Sequence, residues 1–254
     1  MVLVYVVSAG AVVGGVVAII ADVEQHHEFA DRLRRRFDPT KETALALSVV
    51  AAVGAAAAVG SGVARIWSKS GLQSFDGRIA RYGAEHASAL STKVMGDISR
   101  LGSTPGVVTL AAIATAVELN REPTKTLPMF MSLVVGGQFV LSNGLKYMVE
   151  RARPDISRLA GFSGTSFPSG HSTASSATFA AIALILTRDR SRRIKISGAS
   201  IAAGLAAMIA TTRMFLGVHW FTDVVAGLLL GWGWFALCSI ATAEAFAEVA
   251  ASTA

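Results

Sequence analysis

The sequence predicts an all-α fold, a polytopic bundle of transmembrane helices, and three observations carry that prediction. Of 254 residues, 52% are hydrophobic and only 16% are charged, against about 25% charged in soluble domains. Seven apolar segments occupy 2–21, 44–66, 105–119, 127–147, 171–187, 199–213 and 222–243, lengths near the roughly 20 residues a span requires. Alternate connections between them also differ in their density of Lys and Arg. This composition excludes an ordinary soluble enzyme, a disordered chain and a disulfide scaffold. The single cysteine, Cys238, lies inside an apolar run and excludes an intrachain disulfide and a cysteine-based metal site. A net charge of +6 suits anionic partners such as lipid headgroups, and little soluble surface is left for nucleic acid.

Segment 2–21 has no positive region before it and is longer than a signal-peptide core, so it reads as an uncleaved N-terminal span. In 22–43, Phe29, Leu33 and Phe37 share a face with Arg32 to Arg36 nearby. That pattern fits a basic amphipathic connector on anionic lipid, with a solvated connector as the alternative. His26 and His27, beside Glu24 and Glu28, read as a solvated face. Between the second and third segments, Leu72, Phe75, Ile79, Tyr82, His86, Leu90, Val94, Ile98 and Leu101 recur every three or four residues. This predicts a helix in the interface over 67–102, broken near its glycines. Segments 105–119 and 171–187 are short, and the latter opens with Ser172, Thr173, Ser175 and Ser176, as a helix packed inside a bundle would. Gly227-x3-Gly231 and Gly10-x3-Gly14 read as tight packing within the bundle rather than as a dimer contact. Three regions follow: an N-terminal span with its basic connector (1–43), a six-span unit (44–243) and a tail (244–254).

Orientation follows from counting positive charges, because cytoplasmic loops retain an excess of Lys and Arg. Connections 22–43, 120–126 and 188–198 hold 12 Lys or Arg in 40 residues, whereas 67–102, 148–170 and 214–221 hold 8 in 67. The first set is therefore expected in the cytoplasm with the C-terminus, and the second set outside with the N-terminus.

Three clusters of reactive residues fall in the outer set. The first is Lys146-x6-Arg153-Pro154. If the helix of 127–147 continues through it, residues seven apart share one face two turns apart, so two cations converge on one anion and Pro154 ends the helix. Alone, such residues merely complement a helix C-terminus and reach for headgroups. The second is Pro168-Ser169-Gly170-His171, where a tight turn opens a helix. Its first N–H groups suit an oxyanion, and His171 can give or take a proton near neutrality. Alone, it is a capping turn. The third is Arg213-x5-His219-x3-Asp223. His219 and Asp223 are four apart at a predicted helix start, where a carboxylate can hold one imidazole nitrogen and leave the other free to attack. Alone, it is a capped helix N-terminus.

Together the clusters supply what phosphoryl transfer through a phosphohistidine needs. These are an oriented nucleophile, preorganised donors for the equatorial oxygens and a general acid.

In order and spacing, K-x6-R-P, P-S-G-H and R-x5-H-x3-D resemble the type 2 phosphatidic acid phosphatase superfamily, the lipid phosphate phosphatases, in its bacterial membrane branch. The motifs cover 146–223, and the hydrophobic layout extends the resemblance to about 44–243. The resemblance implies that Lys146, Arg153 and Arg213, with Ser169 and the backbone of Gly170, bind the phosphoryl oxygens. It implies that His219 attacks phosphorus, His171 protonates the leaving group and Asp223 orients His219, with no metal and no cofactor. The family's third motif often begins Ser-Arg; here position 212 is Thr, which keeps the hydroxyl. A six-helix phosphatase core would then be preceded by one extra N-terminal span. Segments similar to the stretch holding His86, Asp97 and Arg100 lie close to the site in the family, so a lid or headgroup contact is an open role for it.

The expected function is hydrolysis of the terminal phosphate of a lipid phosphate or diphosphate in a plasma membrane. Undecaprenyl diphosphate comes first on composition and short loops, with phosphatidylglycerophosphate and phosphatidate also open. A phosphotransferase with a lipid or sugar acceptor would use the same residues. An anion transporter is the reading of another class, but transporter sites sit near the bilayer midplane on broken helices, and a His–Asp pair is superfluous to transport. Soluble vanadate-dependent haloperoxidases share the constellation but not the apolar segments.

Overall fold

The computed structural model describes residues 72–156, 159–161 and 164–253, so the apolar segments 2–21 and 44–66, the basic connector 22–43 and Gly10-x3-Gly14 lie outside the described residues. The described residues form seven α-helices and no strand: α1 (Leu72–Glu85), α2 (Ala89–Leu101), α3 (Thr104–Arg121), α4 (Thr126–Val149), α5 (Gly170–Thr187), α6 (Arg192–Phe215) and α7 (Phe221–Thr253). The fold is all-α, as expected.

Among the described residues, α4, α6 and the Phe221–Thr242 part of α7 are each long and apolar enough to cross a membrane alone. The α2–α3 pair, bent by 50°, qualifies if taken as one broken span. At 1.5 Å per residue, the 24 residues of α4 reach about 36 Å. The expected span over 171–187 is a helix, α5, but is not apolar enough to qualify alone. After Gly170 and His171 its first turns are Ser, Thr and Ala, and packing against α3, α4, α6 and α7 shelters them from lipid. The hydroxyls are satisfied on the helix's own backbone: Thr173 Oγ1 donates to the Ser169 carbonyl (3.0 Å), Ser175 to Ser172 (3.3 Å) and Ser176 to Thr173 (3.2 Å). Burying a hydroxyl without such a bond costs about 1 kcal/mol or more, so these local bonds lower the cost of lining the centre of the bundle with small polar residues.

Close approach of α5 and α7 depends on the two glycines picked out in the sequence. A Cβ built on Gly231 would lie 2.0 Å from Ser176 Oγ and 2.3 Å from the Thr173 carbonyl oxygen, and one on Gly227 would lie 2.7 Å from the Ser169 carbonyl oxygen. The pattern is intramolecular packing. Gly231→Ala is therefore expected to push α7 off α5 and cost about 1–3 kcal/mol, the usual scale of overpacking; a lowered melting temperature in detergent checks it, and an unchanged one contradicts it.

Four boundaries differ from the sequence expectation. The stretch 67–102 forms two helices that part at His86–Ser88, where Ser88 caps α2 in a capping box with Ser91, and not at a glycine; Gly77, Gly83 and Gly96 are helical. Helix α4 stops at Val149, four residues before the motif's arginine, because Glu150 turns left-handed (φ 44°). Helix α6 starts at Arg192, so the connection from α5 is short. Helix α7 continues to Thr253 through the stretch expected as a tail.

Residues 122 and 188 meet in an ion pair, Glu122 with Arg188. The basic connections 120–126 and 188–191 therefore share one end of the bundle. The starts of α3, α5 and α7 and the ends of α4 and α6 lie at the other.

Candidate active site

The reactive residues sit where the helices leave that second end. Beyond Glu150 the described residues before Gly170 are irregular. This stretch, not a shared helix face, brings Arg153 to the site. Arg153 Nη1 donates to the Val218 carbonyl (2.7 Å) and lies 3.2 Å from His219 Nε2, while its Nη2 and Nε donate to the carbonyls of Thr165 and Gly164 (both 3.0 Å). Lys146 Nζ, on the last turn of α4, donates to the Thr165 carbonyl (3.1 Å). The two motif cations thus meet on one strip of backbone, and a guanidinium fork lies against the nitrogen of His219 that points away from Asp223.

His219 precedes α7 rather than lying in it, in the turn that follows α6, and it is 3% exposed. Its Nδ1 is 3.5 Å from Asp223 Oδ2, longer than a good hydrogen bond. Asp223 is the third residue of α7 and fully buried. Its Oδ2 accepts from the Trp220 N–H (2.9 Å) and from the Ser166 hydroxyl, and its Oδ1 from Arg151 Nη1 (2.5 Å). A carboxylate in the first turn suits the positive end of the helix dipole. Burial pushes the His219 imidazole down to about 4, against the raising pull of Asp223, and the Arg153 and Arg213 charges lower it further. Burial thus favours the neutral form of the ring.

Arg213, in the last turn of α6, is buried; Nη1 donates to Ser99 Oγ of α2 (2.6 Å), and Nε has no partner among the described residues. The Thr212 hydroxyl bonds back to the Ile209 carbonyl (2.6 Å) and stays within its own helix. His171 opens α5 and lies in the field of Arg213, His219, Lys146 and Arg153. Ser169 is the N-cap of α5. Its hydroxyl faces Ser172 (Oγ–Oγ 2.9 Å), and its N–H donates to the Asp223 carbonyl (3.0 Å), joining the starts of α5 and α7. Gly170 follows as the first helical residue, one of the positions whose N–H has no partner within the helix.

The structure therefore brings together Lys146, Arg153, Ser169, Gly170, His171, Arg213, His219 and Asp223. The side chains of His86, Asp97 and Arg100 bond locally. His86 Nδ1 donates to the Tyr82 carbonyl (2.8 Å), and Asp97 pairs with Lys93 (3.0 Å) and Arg100 (2.7 Å) at the surface. Four residues escaped the sequence reading: Asp76, Ser99, Arg151 and Ser166. Asp76 had a usable signal, being a carboxylate between Phe75 and Ile79 on the apolar stripe of α1. Arg151 was hidden inside K-x6-R-P by the assumption of a continuous helix.

The chain resembles known membrane phosphatases in sequence and fold. The model of the PAP2 superfamily matches residues 127–246, from the start of α4 into α7. Phosphatidylglycerophosphatase B of Bacillus subtilis (strain 168) is 32% identical over 162 residues, 63% of this chain and 79% of that protein. The lipid A 1-phosphatase of Rhizobium etli is 41% identical over 119 residues, 43% of this chain and 46% of that protein. Among solved structures, the transmembrane PAP2-type phosphatidylglycerolphosphate phosphatase from Bacillus subtilis superposes with a TM-score of 0.64 at 28% identity, covering 83% of this chain and 97% of its own. LpxE of Aquifex aeolicus, at TM-score 0.50 and 23% identity over 65% of this chain and 93% of its own, shares the fold.

Proposed function

The chain belongs to the PAP2 superfamily, and on that premise we propose that it is a metal-independent membrane phosphatase that removes a terminal phosphate from a lipid phosphate through a phosphohistidine on His219. The observation that carries the reading is the two-sided setting of His219: Nδ1 faces the buried Asp223 carboxylate at 3.5 Å and Nε2 faces the Arg153 guanidinium at 3.2 Å. A neutral imidazole so held presents its Nε2 lone pair where cations would hold a phosphoryl group. His219 Nε2 bonds to phosphorus as the bond to the leaving oxygen breaks, and His171 gives that oxygen its proton. Water then attacks phosphorus and passes a proton to His171. The P–N bond breaks, and inorganic phosphate and neutral His219 return. Lys146, Arg153 and Arg213 hold the equatorial oxygens with the Gly170 N–H. The Ser169 hydroxyl, in contact with Ser172, serves the site by capping α5 and setting that N–H.

The named relatives favour phosphatidylglycerophosphate as the first substrate to try and a lipid A 1-phosphate as the second, with undecaprenyl diphosphate as a third. The charge bias of the connections supports an active site on the extracytoplasmic face of a plasma membrane and a cytoplasmic C-terminus. Exposed Leu90, Val94 and Leu101 on α2 support an interfacial placement of that helix beside the site. The test is phosphate release by purified protein in detergent, with a strong chelator present, across the three lipids. Release undiminished by chelator is expected; loss of release restored by added metal contradicts the reading, and no release from any lipid by folded protein turns the assay to phosphoryl acceptors.

A further inference from the structure

The carboxylate beside His219 is itself held by a second one. Arg151 reaches inward with 10% of its side chain exposed and spreads its fork between two fully buried aspartates. Its Nη1 donates to Asp223 Oδ1 at 2.5 Å and to Thr222 Oγ1 at 2.7 Å, and its Nη2 donates to Asp76 Oδ2 at 2.8 Å. Asp76, from α1, also accepts from the Thr222 N–H (3.2 Å) and the Thr222 hydroxyl (2.8 Å). It caps the first turn of α7 from a different helix, since the early N–H groups of a helix have no partner within it. The indole of Trp220 closes the arrangement. It lies under the Arg151 guanidinium at 5.6 Å, and its Nε1 donates to the Ala152 carbonyl at 2.9 Å.

We propose that Asp76 and Arg151 are positioning residues for the reaction: their chain fixes the Asp223 carboxylate beside His219 Nδ1 and keeps it from being neutralised by its own arginine. The inference rests on His219 being the nucleophile, as read above. A guanidinium bound to Asp223 alone would cancel the charge that must support a cationic imidazole. Shared between two carboxylates, it leaves one net negative charge in the chain, close to the ring that is phosphorylated. The fork also fixes Asp223 in two dimensions, which a lysine could not do. In this way α1, outside the family motifs, becomes part of what aligns the nucleophile.

Asp76→Asn tests this, because the amide keeps an acceptor for Thr222 and removes the charge. The groups acting on His219 are Asp223 from α7, Arg153 from the connection after α4, Arg213 from α6 and His171 from α5, with Lys146 of α4 acting on Asp223. Only Asp223 is anionic, so releasing Arg151 from Asp76 makes the site more positive and disfavours the protonated ring. In Asp76→Asn, kcat is expected to fall by about 10–100-fold, the scale seen for outer partners of metal-bound histidines. KM should stay near wild type, the acid limb of kcat/KM should move to lower pH, and Asp76→Glu should recover part of the loss. A purely structural anchor would lower the melting temperature without moving the pH limb. If Asp76→Asn does not fold, Arg151→Lys, which keeps the charge and loses the fork, is expected to lower kcat at an unchanged KM with the acid limb in place, and wild-type kcat in it overturns the proposal. Wild-type kcat with an unmoved acid limb in the folded variant overturns the proposal. The wild type is first quenched with radiolabelled phosphate ester: absence of a His219-dependent phosphoenzyme overturns the underlying reading, whereas its presence beside an unaffected variant overturns this inference alone.

Discussion

Replacing His219 by alanine is expected to abolish phosphate release while leaving the protein folded. The Asp223 carboxylate does not depend on His219 for its place, since Arg151, Ser166 and the Trp220 N–H all donate to it. Removing the ring therefore leaves no orphaned charge, and the melting temperature in detergent should change little. The rate, by contrast, loses its covalent route. Removing the nucleophile of a serine hydrolase costs on the order of 10⁶-fold in kcat, or about 8 kcal/mol of barrier, and a loss of that order is expected here. The remaining cations would still bind substrate, so a lipid phosphate should compete with vanadate for the inactive protein. Wild-type-like release by folded His219→Ala would remove the nucleophile assignment, and with it the need for Asp223.

The parts of this site legible in the sequence share one physical property: each is marked by chain punctuation. Pro168 and Gly170 announce the turn before His171, and the apolar run after Asp223 announces the helix on which that carboxylate sits. The position of Arg153 was legible although the reason given for it was not. The helix expected to carry Lys146 and Arg153 on one face ends at Glu150, and an irregular strip of backbone delivers the arginine instead. Sequence spacing reports which residues meet, while the backbone between them depends on a single left-handed residue that no motif marks. Asp76 and Ser99 were less accessible still. They reach Arg151 and Arg213 across 75 and 114 positions, and pairings that distant are set by how α1 and α2 dock on α6 and α7. The burial of α5 was legible from its run of Ser, Thr and Ala, because only a helix shielded from lipid on all sides has a use for so many small residues.

His171→Ala supplies the sharper test of mechanism, because the two steps use the residue in opposite directions. A lipid alkoxide is a poor leaving group and needs a proton as the P–O bond breaks, so phosphatase activity on a lipid substrate should fall by about 10²–10⁴-fold, the usual contribution of a general acid. Nitrophenolate leaves without a proton, so with a nitrophenyl phosphate the first step should be largely spared. Hydrolysis of the phosphohistidine still lacks the base that takes a proton from water. The variant should then give a burst of nitrophenolate followed by slow turnover, with phosphorylated His219 accumulating. On the lipid substrate neither the burst nor the phosphoenzyme should appear, because the first step has become limiting. The fold should tolerate the change: His171 is partly exposed and the cap of α5 is supplied by Ser169. Equal losses on good and poor leaving groups, with no burst on either, would show that His171 binds phosphate rather than carrying a proton, and the acid would have to be sought in Lys146, the cation of the assembled site that is not a guanidinium.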